Sequence, residues 1–228
     1  MSDVYSGNWS MPNVLIKYCG NKTLQDYQVT NRSEADYLGF VFAKSKRQVR
    51  VEEVSSWIGK CTSSKSLVGV FVNQSLEEIL YAVDKVGLDV VQLHGNENPQ
   101  YIQSLVSKAN VGIWKAIHHE NEGSLRNLEV YQEFVDGFVI DKKVGTQYGG
   151  TGKCFDWSFL PDYINMAKSL NKRCFIAGGI NEGNLPELLS YHPDGIDISS
   201  GIERNFIKDS KKIQAIEKRV KKYGTIRN

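Results

Sequence analysis

Eight short apolar runs, spaced along the whole chain, constrain its fold more than any other feature. Each run is rich in β-branched or aromatic residues and is followed by a more polar segment. Continuous apolar runs of this kind are typical of strands that are covered on both faces. The runs are NVLIKYC, ADYLGFVFA, LVGVFV, LDVVQLHG, VGIWKAI, DGFVID, RCFIAGG and DGIDISSG.

Amphipathic segments lie between these runs. LEEILYAVDKV, PQYIQSLVSKA and LPELLSYH place their apolar residues near i, i+3, i+4 and i+7, as a helix packed on a sheet does. Alternating strands and helices predict parallel strands, and about eight such units close most readily into a (β/α)8 TIM barrel, an α/β fold. The alternative is an open doubly wound sheet, but its usual G-x-G-x-x-G turn is absent after the first strand, where the chain has CGNKTL.

The composition indicates one domain. At 228 residues and 41% hydrophobic content, the chain can bury a single substantial core. We expect a flexible leader over residues 1–12 and a barrel domain over residues 13–228. Basic and acidic side chains number 28 and 26 and form no long runs, which argues against a nucleic acid or a membrane as partner.

Targeting signals and cysteine spacing bear on location and metal binding. No apolar run approaches the roughly 18 residues of a spanning helix, and the N-terminal segment lacks the basic and apolar regions of a secretion signal. We therefore expect a cytoplasmic protein. The cysteines lack paired spacing, which argues against a zinc site or a disulfide framework and predicts free thiols at Cys19, Cys61, Cys154 and Cys174.

Two windows rich in Gly and Ser follow the seventh and eighth runs. Catalytic groups of a (β/α)8 barrel lie at the C-terminal ends of its strands, and a phosphate site is frequently built after strands seven and eight. Small residues there let backbone N–H groups approach an anion closely. Glycines that merely turn the chain are the alternative. The pattern predicts a phosphorylated small substrate held by Gly178, Gly179, Ser199, Ser200 and Gly201.

Asp141 ends the sixth run and should project a carboxyl group into the barrel mouth. Burial would raise its pKa from about 3.9, as a general acid requires. An aspartate that only caps the following loop is the alternative. That loop is unusually long and contains YGGTG, which predicts a lid over the substrate with Gly149, Gly150 and Gly152 as its mobile residues, although surface loops without function also exist.

Cys19 occupies the equivalent end of the first strand. A free thiol has a pKa of about 8.5, so a modest shift would produce a thiolate that can act as a base. From spacing alone, a buried inert cysteine is the more common outcome.

Ordered motifs from about residue 14 to residue 209 resemble those of the phosphoribosylanthranilate isomerase family. They are KYCG, ADYLGFVFAKSKR, VGVFVN, VVQLHGNE, WKAI, DGFVID, YGGTGKCFDW, IAGGIN and GIDISSGIE. The resemblance implies an enzyme of tryptophan biosynthesis that needs no metal and no organic cofactor. Its reaction would be the Amadori rearrangement of N-(5-phosphoribosyl)anthranilate to 1-(2-carboxyphenylamino)-1-deoxyribulose 5-phosphate.

The resemblance also implies roles for single residues. Asp141 would be the general acid that protonates the furanose ring oxygen, and Cys19 the general base that takes the proton from C2. Arg47 would bind the anthranilate carboxylate, for which a planar guanidinium is suited, although a solvated charge is the alternative. His94 would either touch the substrate or support a neighbouring residue by a hydrogen bond. His118 and His119 match no motif with a known role.

Strand geometry predicts an ion pair beneath Cys19. Side chains two apart on a strand share a face, so Lys17 should point into the barrel one layer below Cys19. Asp197 on the eighth strand faces the same way, and the first and eighth strands of a closed barrel are neighbours. A lone buried ammonium would be costly, so we expect a buried Lys17–Asp197 pair that also favours the thiolate of Cys19.

Some points stay open at this stage. Phe206 and Ile207 stand where the family tends to have a glycine before Lys-Asp, which leaves the local path of the chain undecided.

An aldose–ketose isomerase of histidine biosynthesis is a second possibility, but that family is expected to use two aspartates. A non-catalytic phosphosugar-binding protein would lack the acid or the base. The sequence does not separate a monomer from a homodimer.

Overall fold

Eight parallel strands, one from each predicted run, form a closed barrel in the computed structural model, which describes residues 14–144, 147–148 and 156–227. Each strand pairs with its two neighbours in chain order, and the first also pairs with the eighth. The predicted (β/α)8 barrel is confirmed, and the open sheet is excluded. The strands are β1 Leu15–Tyr18, β2 Tyr37–Val41, β3 Ser66–Phe71, β4 Val90–Leu93, β5 Gly112–His119, β6 Gly137–Val144, β7 Arg173–Ile176 and β8 Gly195–Ile198.

Helices follow the strands and cover the barrel. They are α1 Leu24–Asn31, α2 Val51–Lys60, α3 Leu76–Val86, α4 Pro99–Val106, α5 Asn127–Tyr131, α6 Leu160–Ser169, α7 Leu185–Ser190 and α8 Ser210–Arg227. Local sequence fixes their ends. Ser75 and Glu78 form a capping box at the start of α3, and Gly87 ends that helix in the left-handed conformation with φ 71°. Among the described residues, no helix combines the length and apolar character needed to cross a membrane.

The barrel interior is packed at its N-terminal end by an aromatic cluster. The rings of Tyr37, Trp114 and Phe175 lie 4.5–5.6 Å apart between centroids. A separate apolar layer fills the space between strands and helices. Because the lower barrel is filled by side chains, the polar residues collect at the C-terminal ends of the strands. The predicted leader at residues 1–12 lies outside the described residues.

Candidate active site

The two predicted catalytic residues lie at the same mouth of the barrel. Cys19 comes directly after β1, and Asp141 directly follows the part of β6 that pairs with β7. Both side chains are buried. Polar residues around them form two groups on opposite sides of the mouth. The ion-pair side consists of Lys17, Cys19, Arg47, Asp197, Glu203 and Lys208, and the histidine side of Gln92, His94, His118 and Asp141.

The position of Cys19 depends on a glycine of the neighbouring strand. The Cys19 backbone N–H donates to the carbonyl of Ile198, 3.0 Å away. A Cβ atom at Gly39 on β2 would lie only 2.7 Å from Cys19 Sγ. Real Cβ atoms do not approach so closely, so Gly39 gives the thiol its space. Cys19 is a free thiol, as are Cys61 and Cys174, and Cys154 lies outside the described residues.

The predicted ion pair beneath Cys19 is present. Lys17 Nζ lies 2.7 Å from Asp197 Oδ2, and the register of β1 and β8 places these two residues side by side. The Lys17 side chain is fully buried. Burial alone would lower the pKa of Lys17, but the attraction of Asp197 and Cys19 outweighs it, so the pKa of Lys17 is raised. The lysine therefore remains charged inside the barrel.

The effect of this pair on the thiol differs from the prediction. Burial raises the pKa of Cys19, and the carboxylate of Asp197 raises it further. Lys17 and Lys208 favour the thiolate, as expected for nearby cations, but they do not outweigh burial. The neutral thiol is thus the favoured form in the free protein near neutral pH.

Arg47 is held by a buried carboxylate. Arg47 Nε and Nη2 donate to the two oxygens of Glu203 at 2.8 and 2.7 Å, and this pairing raises the pKa of Arg47. Lys208 Nζ contacts Glu203 Oε1 at 2.9 Å and donates to the Cys19 carbonyl at 2.5 Å. The solvated-charge alternative for Arg47 is wrong, because its side chain is only 8% exposed. A substrate carboxylate would have to share the guanidinium with Glu203.

The chain path that was left open after the eighth strand is a tight hairpin. Glu203–Arg204 pairs antiparallel with Ile207–Lys208. The turn residues Asn205 and Phe206 have φ 51° and 62°. This conformation is strained for a residue as bulky as Phe206. Its half-exposed ring lies 4.8 Å from Lys46 Nζ, measured to the ring centroid.

On the histidine side, the carboxyl group of Asp141 has two neighbours. Its Oδ1 accepts a hydrogen bond of 2.7 Å from the backbone N–H of Lys142, and its Oδ2 lies 3.3 Å from His94 Nε2. A Cβ at Gly178 would lie 2.8 Å from Oδ1, so this glycine admits the carboxyl group. His94 is buried, and the structure brings it to Asp141 rather than leaving it isolated.

Gln92 and His118 complete this region, whereas His119 lies outside it. Gln92 Nε2 lies 3.1 Å from His94 Nδ1, and His118 Nε2 lies 3.0 Å from the His94 carbonyl. Burial and the nearby His94 lower the pKa of His118, which favours its neutral form. His119 lies beside Tyr163, with Nδ1 3.0 Å from the phenol oxygen, and so packs outside the group around Asp141.

The two Gly/Ser windows contact each other. Gly178 and Gly179 have φ 86° and 69°, and Ser200–Ile202 forms a single 3-10 turn. A Cβ at Gly201 would lie 1.9 Å from the carbonyl oxygen of Ile180, so only glycine fits. Ser199 Oγ is buried and makes no hydrogen bond with any described residue. The predicted phosphate site remains a prediction, as does the lid, since Gly149, Gly150 and Gly152 lie outside the described residues.

Comparisons with known proteins identify the family. Residues 16–219 match the family model described as N-(5'-phosphoribosyl)anthranilate (PRA) isomerase. The chain belongs to the PRA isomerase family. A relative of that name from Halalkalibacterium halodurans is 49% identical over 207 residues, covering 90% of this chain and 94% of the relative. The relative from Bacillus subtilis is 43% identical over 211 residues, covering 92% of this chain and 97% of the relative.

Solved PRA isomerase structures agree with the fold. The enzyme from Thermotoga maritima matches with a TM-score of 0.80 at 31% identity, covering 92% of this chain and 99% of that chain. A PRA isomerase in complex with reduced 1-(o-carboxyphenylamino)-1-deoxyribulose 5-phosphate matches with a TM-score of 0.76 at 30% identity over the same shares. The protein is therefore an isomerase.

Several polar residues of the site were not predicted from the sequence. Glu203 and Lys208 complete the ion-pair side, and Gln92 orients His94. Lys115 and Glu97 form a further buried pair, 3.2 Å apart, that braces the loop after β4. Gln92 and Lys115 interrupt otherwise apolar strands, which is the signal that could have found them. Within the described ranges, no group of three or more His, Cys, Asp or Glu residues is arranged to hold a metal ion.

Proposed function

We propose that the protein catalyses the isomerisation of N-(5'-phosphoribosyl)anthranilate in tryptophan biosynthesis, with Asp141 as general acid and Cys19 as general base. The observation that carries this proposal is that a buried thiol, directly after β1, and a buried carboxyl group, in the C-terminal half of β6, lie at the same mouth of the barrel. Two groups in different environments suit a reaction that needs an acid in one step and a base in the next.

The first step opens the sugar ring. Asp141 gives its proton to the ring oxygen, the bond between that oxygen and C1 breaks, and a protonated Schiff base forms between C1 and the anthranilate nitrogen. Asp141 is left as a carboxylate. The hydrogen bond from the Lys142 N–H to Oδ1 stabilises this charge.

The second step moves the double bond. Cys19, whose thiol has first released its proton to solvent, takes the proton from C2 as a thiolate, and the electron pair of that C–H bond gives an enolamine. The enolamine then takes a proton at C1 from the Cys19 thiol and releases its O2 proton to Asp141, which leaves the ketone product. Both residues return to their starting forms, so no net proton is consumed and no cofactor is required.

Binding groups for the two ends of the substrate are also proposed. Arg47 binds the anthranilate carboxylate from the ion-pair side, where its guanidinium is fixed by Glu203. The backbone N–H groups around Gly179 and Gly201, with the Ser199 hydroxyl, bind the 5'-phosphate. Ser199 Oγ supports this assignment, because it is buried, has no hydrogen-bond partner among the described residues and needs one. We further propose a cytoplasmic enzyme with no nucleic-acid partner, active as a monomer or a homodimer.

The test is an assay of the purified protein on freshly prepared phosphoribosylanthranilate, followed by the loss of its fluorescence. Wild-type protein is expected to turn over substrate, and the Cys19→Ala and Asp141→Ala variants to lose most activity. Cys19→Ser should retain only a small fraction, because a hydroxyl is a weaker base than a thiolate. Binding without turnover would instead indicate a phosphosugar-binding protein, and a Cys19→Ala variant as fast as wild type would exclude the mechanism.

A further inference from the structure

Gln92 and His94 form a buried chain of polar groups that leads to Asp141. They stand two apart at the end of β4, so both side chains point to the barrel interior. Gln92 is 1% exposed and His94 is 7% exposed. Gln92 Nε2 lies 3.1 Å from His94 Nδ1, and His94 Nε2 lies 3.3 Å from Asp141 Oδ2.

The orientation of the Gln92 amide determines the tautomer of this histidine. The structure places the amide nitrogen 3.1 Å from His94 Nδ1, so this nitrogen donates, Nδ1 accepts, and the proton of a neutral ring is on Nε2. His118 holds the histidine from the other side. Its Nε2–H donates to the His94 carbonyl, and the two rings meet edge to face with centroids 4.9 Å apart. The protonated Nε2 of His94 therefore lies 3.3 Å from Asp141 Oδ2.

The contact between His94 and Asp141 is not yet a hydrogen bond. At 3.3 Å, Nε2 is not aligned with Oδ2, and it makes no hydrogen bond with any described residue. The other carboxyl oxygen of Asp141 already accepts from Lys142 N–H. A buried donor with no partner among the described residues, 3.3 Å from a carboxyl oxygen, is suited to a charge that appears only during the reaction.

We propose that Gln92 and His94 are positioning residues for the general acid. His94 Nε2–H forms its hydrogen bond with Asp141 Oδ2 once Asp141 has given its proton to the substrate, and Gln92 holds the ring in the tautomer that makes this possible. The inference rests on the proposed role of Asp141. His94 keeps its own proton throughout, so the proton balance of the reaction is unchanged.

A neutral histidine is essential to this arrangement. An imidazolium beside Asp141 would stabilise the carboxylate before substrate arrives, and the acid would have no proton to give. A neutral Nε2–H instead donates to the carboxylate after proton transfer. Lys115 on β5 is a cation beside the histidine side, and its Nζ contacts Glu97 and donates to the carbonyls of Leu93 and Gly95.

The amide orientation of Gln92 is the point at which the inference can fail. In the structure, Gln92 Oε1 has no hydrogen-bond partner among the described residues. With the opposite amide orientation, this oxygen would accept a hydrogen bond from His94 Nδ1–H. His94 Nε2 would then be an acceptor and would have no proton for Asp141. Each orientation of the Gln92 amide therefore predicts a different tautomer of His94, and the two tautomers can be distinguished by experiment.

The direct test is the tautomer of His94, measured by the nitrogen-15 chemical shifts of its ring at neutral pH. The His94→Asn variant assigns the signal among the four histidines. The expected result is a neutral ring protonated at Nε2. A ring protonated at Nδ1, or an imidazolium, would overturn the inference. Because this readout needs no substrate, it stands even where the proposed reaction fails.

The kinetic test measures kcat and KM after Gln92 is replaced by a hydrogen-bond acceptor or by an apolar side chain. In Gln92→Glu the new carboxylate accepts from Nδ1, so the tautomer should reverse or the ring become charged. We expect kcat to fall at least about tenfold, the loss of one hydrogen bond to a charged group, with KM within about twofold. Gln92→Met removes the constraint without adding charge and should show a smaller fall in kcat.

Two controls separate positioning from folding. Gln103→Glu makes the same chemical change on the exposed face of α4 and should leave both constants unchanged. Urea unfolding establishes that the Gln92 variants are folded. A folded Gln92→Glu variant with reversed tautomer and wild-type kcat would contradict the proposal, whereas a wild-type protein without turnover would contradict the proposed function itself.

Discussion

The ion-pair side of the mouth surrounds Cys19 with full charges, whereas the histidine side surrounds Asp141 with neutral donors. Near Cys19, three buried ion pairs involve two lysines, an arginine and two carboxylates. Near Asp141, the contacts come from a backbone N–H and an imidazole. Full charges bias a neighbour toward one protonation state, but an oriented neutral donor does little until a charge develops.

This difference fits the two proposed roles. A base made from a thiol needs cations to oppose burial, and Lys17 and Lys208 lower the pKa of Cys19 without outweighing the effect of burial. A carboxylic acid needs the opposite, an environment that does not draw off its proton before the substrate binds. The barrel can provide both because strands 8, 1 and 2 supply one side and strands 4, 5 and 6 the other.

The largest expected effect comes from breaking the Lys17–Asp197 pair. Lys17→Met leaves Asp197 without its partner inside the barrel, so the free energy of unfolding should fall by about 3–5 kcal/mol in urea titrations. The control is Arg50→Ala, which breaks the exposed Arg50–Glu53 pair and should cost under about 1 kcal/mol. Equal losses in both variants would show that burial does not distinguish these pairs.

Glu203→Gln tests whether Glu203 competes with the substrate carboxylate for Arg47. Removal of the carboxylate leaves Arg47 and Lys208 as unbalanced cations, so the reduced product analogue should bind about tenfold more tightly by calorimetry, or about 1.4 kcal/mol. Glu97→Gln, at the buried pair beyond the histidine side, should leave this affinity unchanged. Weaker binding by Glu203→Gln would mean that Glu203 serves only to orient Arg47.

The third prediction concerns the pKa of Cys19, which burial raises above the ordinary value of about 8.5. Asp197 disfavours the thiolate, so Asp197→Asn should move the thiol titration to lower pH. His118→Asn, a change on the histidine side, should leave the titration unmoved. The measurement is the carbon-13 shift of labelled Cys19 Cβ against pH, assigned with Cys19→Ser. A shift toward higher pH in Asp197→Asn would contradict the account of the ion-pair side.

Phe206→Gly should have the smallest effect. Glycine relieves the positive-φ strain of about 1–2 kcal/mol, but it loses the contact with Lys46 and gains freedom in the unfolded chain, each about 0.5–1 kcal/mol. The net change in unfolding free energy should stay within about 1 kcal/mol. A loss above about 2 kcal/mol would show that the ring anchors the loops of the ion-pair side.

The sequence predicts the barrel and the two reactive residues because these depend on regular patterns. Alternating strands and helices define the fold, and strand ends define where Cys19 and Asp141 lie. The Lys17–Asp197 pair was predictable because strand period and barrel closure fix which side chains are neighbours. For these two side chains, the regular geometry of the strands is enough to predict the contact.

The partners of Arg47 and His94 could not be predicted in the same way. Glu203 contacts Arg47 because it lies in a hairpin, and the turn of this hairpin contains Phe206 at positive φ. The conformational preference of phenylalanine does not favour such a turn. Gln92 and His94 share a face by strand period, but the approach of His94 to Asp141 depends on how β4 and β6 are placed across the mouth. The upward shift in the pKa of Cys19 also required knowledge of burial, since the nearby cations alone suggest the opposite.

The most direct test of the central claim, that Asp141 acts first as acid and Cys19 second as base, is the kinetic isotope effect with substrate deuterated at C2. The Cys19→Ser variant should show a primary isotope effect on kcat, because removal of the C2 proton becomes its slowest step. Asp141→Asn should show none, because ring opening then limits the rate. An isotope effect in Asp141→Asn together with none in Cys19→Ser would contradict the assignment of the two residues.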